Sequence, residues 1–201
     1  MAEILSRRSL LIGAVAAGLI PTVAARAATK LTGNTELLLS RAKAAMERHG
    51  GQVSMRDRIG LVDFSLPSRA PRLHLVDLEG GHVESMLVAH GRGSDPDHSG
   101  WVERFSNRPG SLASSAGAYV TGSAYVGKHG RSRRLLGLDP GNYNAEPRAI
   151  VIHGAWYVSP AMIRDRGKLG RSEGCFAVDD QQIDMLLARL GEGRLLYADK
   201  P

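Results

Sequence analysis

Arg148-Ala149-Ile150-Val151-Ile152-His153-Gly154 reads as a buried strand: three β-branched apolar residues in a row, with no polar alternation, closed by a histidine and a glycine. A residue at the end of such a strand is rigidly held yet reachable from outside, which makes His153 a candidate for chemistry. Strand patterns continue upstream. Residues 59–64, 73–78 and 83–89 read as strands, the last two pairing as a hairpin across Glu79-Gly80-Gly81, and residues 118–126 and 134–138 read as further short strands. Downstream, Asp179 as N-cap with Gln182 three residues on opens a helix whose apolar stripe is Ile183, Leu186, Leu187 and Leu190, and Gly191 ends it. Residues 194–197 add a closing strand. At the other end, residues 34–49 read as a helix with Leu38, Ala42, Ala45 and Met46 on one face and Gly50-Gly51 as its stop. The pattern predicts a mostly β, α+β domain with two peripheral helices and no internal repeat. Residues 91–117, rich in Gly, Ser, Asp, Asn and Pro, form a longer loop than a compact core usually carries, and long ordered loops tend to be functional.

Composition narrows the class. The 201 residues carry 26 Lys+Arg against 20 Asp+Glu, a net charge of +6, with 43% hydrophobic residues, which fits one globular domain and argues against disorder. The basic surplus is compatible with an anionic cell-envelope polymer but is too small and scattered for nucleic-acid binding. Residues 1–27 read as a twin-arginine export signal: Arg7 and Arg8 precede the apolar run from Leu10 to Ile20, and Ala25-Arg26-Ala27 supplies a cleavage site. That run is shorter than the roughly 20 residues a membrane span needs, so no stable span is expected after cleavage. The expected organisation is the signal at 1–27, an N-terminal helical segment at 28–58 and a catalytic domain at 59–201, exported to the periplasm or cell envelope as a monomer. A single cysteine excludes an internal disulfide framework and any Cys-rich zinc module.

The densest run of chemistry-bearing residues is Gly170-Arg171-Ser172-Glu173-Gly174-Cys175-Phe176. It contains Gly-x-Ser-x-Gly, but no strand precedes Ser172 and no histidine follows it, so the serine-hydrolase reading fails. With Cys175 as nucleophile, Gly174 lets a substrate approach the backbone, and the N–H groups of Gly174 and Cys175 face a developing oxyanion. A modest fall in thiol pKa would supply the thiolate, with His153 as base. The residues alone leave this open against a second reading, Cys175 as a small buried hydrophobe.

His129, among glycines in Gly127-Lys128-His129-Gly130, reads as a substrate contact or a surface loop residue, and His90 as part of the same rim; His49, His74, His82 and His98 read as surface or packing residues. A zinc site from His129, His153 and Cys175 lacks any recognisable ligand spacing, so no metal is expected. Arg171 is the candidate for a bidentate grip on a substrate carboxylate, with Ser172 and Gly154 as further substrate contacts. The surrounding basic clusters, Lys128/Arg131/Arg133/Arg134 and Arg164/Arg166/Lys168, read as solvated surface.

Ile152-His153-Gly154 followed by Arg171-Ser172-Glu173-Gly174-Cys175 resembles the histidine-then-Ser-x-Gly-Cys signature of YkuD-type L,D-transpeptidases, and more closely the murein L,D-transpeptidase catalytic domain family. Ala89-His90-Gly91-Arg92-Gly93-Ser94, Phe105-Ser106-Asn107, Tyr125 to Gly130, Leu136-Gly137-Leu138-Asp139 and Asn142-Tyr143-Asn144-Ala145 carry the resemblance across residues 61–197. It implies a YkuD-like β-sandwich with Cys175 as nucleophile and His153 as general base, acting without a cofactor on peptidoglycan tetrapeptide stems. It also implies a thioester acyl-enzyme that releases D-alanine and passes the stem to an amine. Water as acceptor would make an L,D-carboxypeptidase. A non-catalytic wall-binding protein is the third reading, and the retained His153 and Cys175 speak against it. The chain departs from the commonest pattern at Glu173, where a second histidine is usual. A carboxylate facing the sulfur would raise its pKa, so Glu173 is expected to point away from it.

Overall fold

Alternation along two neighbouring strands divides the hydrophobic core. The computed structural model describes residue 31 and residues 33–201, so the export signal expected at 1–27 lies outside the described residues. In β1 (Arg58–Asp63) and β8 (Leu195–Asp199), which pair in parallel, Ile59, Leu61, Leu195 and Tyr197 face one side, and Val62, Leu196 and Ala198 the other. Helix α1 (Asn34–Arg48) covers the first side with Leu38, Ala42, Ala45 and Met46, the predicted stripe. Helix α3 (Ile183–Leu190) covers the second with Ile183, Leu186, Leu187 and Leu190. Gly60 allows that contact, because a Cβ there would stand 2.7 Å from Leu196 Cδ1 and 3.3 Å from Leu190 Cδ1.

The remaining strands are β2 (Leu73–Asp77), β3 (Val83–Met86), β4 (Gly117–Gly127), β5 (Gly130–Gly137), β6 (Val151–Gly154) and β7 (Phe176–Val178). The eight strands among the described residues hydrogen-bond into one mixed sheet in the order β3-β2-β1-β8-β4-β5-β6-β7. The predicted β2–β3 hairpin is present. The sheet folds back on itself. One cluster joins Leu73, Leu75 and Met86 from one edge to Ile152, Phe176 and Val178 from the other, and just beyond β3 the Ala89 N–H donates to the Ala177 carbonyl of β7 at 2.8 Å. That contact closes the body into a sandwich-like shape and caps the outer edge of β7.

Several boundaries differ from expectation for identifiable reasons. β6 begins at Val151 because Ala149 adopts a left-handed backbone, φ 54°, and Arg148 still belongs to a turn through its N–H to Asn144 O at 2.9 Å. β5 starts at Gly130, so β4 and β5 form one long hairpin with Lys128 and His129 at its tip. α3 starts at Ile183, since the Asp179 carboxylate accepts from the Gln181 N–H at 2.9 Å and closes a turn ahead of the helix. A third helix, α2 (Pro160–Arg166), joins the two predicted ones: Ser159 Oγ accepts from the Met162 N–H at 3.2 Å, Pro160 opens the helix, and Gly167 at φ 72° ends it. Among the described residues no helix is long and apolar enough to cross a membrane.

Candidate active site

Cys175 directly precedes β7, and His153 lies in β6. The two strands run parallel, with Ile152 opposite Phe176 and His153 opposite Ala177. Ile152 and Phe176 both enter the core, so His153 and Cys175, one step along from each, face the other side together. One strand spacing and two residue rises separate their Cα atoms by about 8 Å. Both line one cavity of about 600 Å³.

His153 is 2% exposed, and its Nδ1–H donates to the Gly154 carbonyl at 2.7 Å, which leaves the Nε2 lone pair as the basic site. Burial holds its pKa below the ordinary histidine value, and the neighbouring His129 acts in the same direction. His129 stacks its ring on that of His153 at 4.2 Å and 19°. Cys175 is half-buried; its thiol donates to the Ala149 carbonyl at 3.5 Å. Burial pushes the thiol pKa up, opposed by a hydrogen bond from the Val151 amide and the charges of Lys128 and Arg148. This reverses the direction expected from the sequence, because the sulfur sits in a wall that disfavours its anion. With the thiol pushed up and the imidazole down, both groups are neutral at rest.

The loop ahead of Cys175 is organised by Ser172. Its buried hydroxyl accepts from the Gly174 N–H at 3.2 Å and donates to the Cys175 carbonyl at 2.7 Å. Of the two amides expected at an oxyanion, that of Gly174 is therefore already committed. Gly174 is required for a different reason: φ is +118°, and a Cβ would stand 2.7 Å from Ile150 Cδ1 and 2.8 Å from the Ala113 carbonyl. Gly154 is fully buried behind the histidine, where a Cβ would meet Asp180 Oδ1 at 2.5 Å, so it supports His153 from outside the cavity wall. Arg171 does line the cavity, but its Nη1 is held by the carbonyls of Asp95 and Pro96, the latter at 3.1 Å, which removes one arm of the expected bidentate fork. Glu173 turns to an ion pair with Arg92 at 2.9 Å, yet it remains in the cavity wall, and its charge adds to burial in raising the Cys175 pKa. Its expected clearance from the sulfur is thus incomplete.

Two arrangements were not anticipated. Arg148 pins the loop over the cavity, with Nη1 on the Ser106 carbonyl at 2.7 Å and Ser115 Oγ at 2.9 Å, and Nη2 on the Ala113 carbonyl at 2.5 Å and Ser111 Oγ at 3.3 Å. His90, expected on the rim, is fully buried between Arg72 and Asp95. Its Nδ1 accepts from Arg72 Nη2 at 2.7 Å, and its Nε2–H donates to the Asp95 carboxylate at 3.1 Å. That carboxylate also accepts from the N–H groups of Ser99 at 2.6 Å and Gly100 at 2.8 Å. The His90 carbonyl takes the Ser172 N–H at 2.9 Å, so this buried network abuts the Cys175 loop. Gly91 and Gly93 between His90 and Asp95 read as loop, and nothing in their spacing signals Arg72. Among the described residues, no group of three or more His, Cys, Asp or Glu side chains is arranged to hold a metal ion.

An imidazole on β6 and a thiol just ahead of the parallel neighbour β7, both lining one cavity, define a cysteine–histidine site. Residues 32–198 match the model of YkuD_2, the L,D-transpeptidase catalytic domain, and the chain belongs to that family. No curated protein matches the chain. Similar solved structures include an L,D-transpeptidase from Mycobacterium smegmatis (10% identity, 71% of this chain and 58% of that one, TM-score 0.42). Another is an L,D-transpeptidase from Mycobacterium tuberculosis H37Rv (12%, 72% and 58%, 0.44). A third is the helical cell shape determining protein Pgp2 of Campylobacter jejuni (13%, 79% and 54%, 0.46). The chain thus spans under two thirds of the length of each.

Proposed function

We propose that the protein is an exported peptidoglycan L,D-transpeptidase with Cys175 as nucleophile and His153 as general base. One observation carries the reading: His153 and Cys175 share a face of adjacent strands above one cavity, with Nδ1 of the imidazole tied to the Gly154 carbonyl and Nε2 left basic. His153 Nε2 takes the thiol proton as Sγ adds to the carbonyl between the L-centre of the diamino acid and the terminal D-alanine. The Cys175 amide is the donor left for the oxyanion. Collapse breaks the C–N bond, the imidazolium returns its proton to the departing D-alanine nitrogen, and a thioester holds the stem. An acceptor amine adds to the thioester and loses its proton to His153, and the thiolate leaves and is reprotonated. Lys128, His129 and Arg171 line the same cavity and supply contacts for the stem.

The test is intact-protein mass spectrometry after incubation with a carbapenem. One covalent adduct on the wild type and none on Cys175→Ala is expected; no adduct on either protein overturns the reading. Tetrapeptide muropeptides then separate the two acceptors: cross-linked dimers report an amine, and trimmed tripeptides report water.

A further inference from the structure

A second cavity of about 460 Å³ adjoins the one that holds Cys175, and Tyr157 and Arg171 line both. Its remaining wall includes Trp156, Arg166 and Lys168. Trp156 is 74% exposed, the second most exposed of the large apolar side chains after Val126. It packs edge-to-face on Tyr157, with ring centres 5.8 Å apart and planes at 82°, a contact that props the indole without covering it. An indole left bare beside a catalytic cavity offers a flat apolar face to a ligand. The wall around it is cationic. Arg166, Lys168 and Arg171 contribute positive charge, and no lining residue is acidic. Lys168 and Arg171 are fixed in place by the backbone carbonyls of His98, Asp95 and Pro96, whereas Arg166 on the last turn of α2 is exposed.

The occupant must therefore be anionic and carry an apolar face. An extended peptide pairing with a strand is excluded here: Trp156 follows β6, whose two edges are filled by β5 and β7. A pyranose ring meets the apolar requirement, since its axial C–H groups form a face that lies flat on indole, and a free carboxylate of the attached stem beside it answers the guanidinium. We propose that Trp156 and Arg166 form a saccharide subsite that holds the glycan strand next to the stem whose end enters the Cys175 cavity. This rests on the L,D-transpeptidase reading of that cavity and extends it from the stem peptide to the polymer carrying it.

Co-sedimentation with purified peptidoglycan sacculi tests the subsite, in a Cys175→Ala background so that nothing is turned over. Loss of the indole face weakens retention of Trp156→Ala by about fivefold, while Trp156→Phe keeps most of it. Arg166→Glu weakens retention at low salt, and its difference from the parent shrinks as salt is raised. Thermal melting of each variant reports its fold, and at positions this exposed the midpoints are expected to match the parent. Retention of Trp156→Ala equal to the parent overturns the proposal. So does a loss confined to Arg166→Glu, which would reduce the surface to a charge patch. Carbapenem labelling of the Cys175-containing parent is read separately. A parent that labels while Trp156→Ala retains sacculi normally sinks the subsite alone, and a parent that fails to label sinks the enzymatic reading.

Discussion

Acid should destabilise this protein through His90, and the size of the effect follows from its burial. The imidazole is fully enclosed, receives a hydrogen bond from the Arg72 guanidinium at 2.7 Å, and has its pKa pushed down to about 4, chiefly by burial and then by Arg72. In the unfolded chain the same group titrates near 6.5. Between these values the unfolded state binds a proton that the native state refuses, so the contribution is intact above pH 6.5 and is lost as pH falls towards 4. The gap of about 2.5 units, at about 1.4 kcal/mol each, is worth roughly 3 kcal/mol. His90→Gln isolates it, because a glutamine can accept from Arg72 and donate to Asp95 yet does not titrate. Urea unfolding from pH 7.5 to 4 should show the wild type losing about 3 kcal/mol more than the variant. His74 and His153, whose pKa values burial also lowers, titrate in both proteins and cancel in the difference. The His90 carbonyl holds the Ser172 N–H, so protonation of native His90 as pH approaches 4 should slow carbapenem labelling of the folded wild type relative to the variant. Parallel stability curves, with a gap constant to within about 1 kcal/mol, would refute the argument.

Three further outcomes follow from the site. Labelling of Cys175 should lose half its rate only below the ordinary histidine pKa and stay flat towards pH 9, because neutral His153 acts on neutral thiol; a rate that climbs steadily to the thiol pKa would show a pre-ionised sulfur instead. Ser172→Ala removes an acceptor from the Gly174 N–H and a donor from the Cys175 carbonyl, so urea unfolding should register a loss of about 1–3 kcal/mol and labelling should slow, whereas unchanged values of both would remove Ser172 from the loop's support. Glu173→Gln should lower the Cys175 pKa, read as thiolate absorbance against pH; an unchanged value would mean that the Arg92 pair already neutralises the carboxylate at the sulfur.

What could be read from the sequence divides by the range of the interaction responsible. Alternation in residues 59–64 and the stripe Leu38, Ala42, Ala45 and Met46 are local patterns that hydrophobic burial enforces directly, and both elements form where they are expected. α2 was equally local, since Ser159-Pro160 and Gly167 bracket it, but no amphipathic stripe marks a helix with no buried residue. The site divides in the same way. His153 was legible because a strand terminus fixes it, and Cys175 because it closes a dense motif. The direction of the Cys175 pKa was not, because it is set by burial once β6 and β7 pair, which outweighs the opposing Val151 amide and Arg148 charge. The least legible feature is the Arg72–His90–Asp95 core. Its members come from the start of β2, the segment after β3 and the long loop: the β2–β3 hairpin brings Arg72 to His90, the loop returns Asp95 to it, and Ala89 beside them seals against Ala177. The closure that makes the body a sandwich therefore also buries the histidine whose carbonyl holds the Cys175 loop. Stability in acid and reactivity at the thiol are coupled by topology, although no short sequence motif joins the residues responsible.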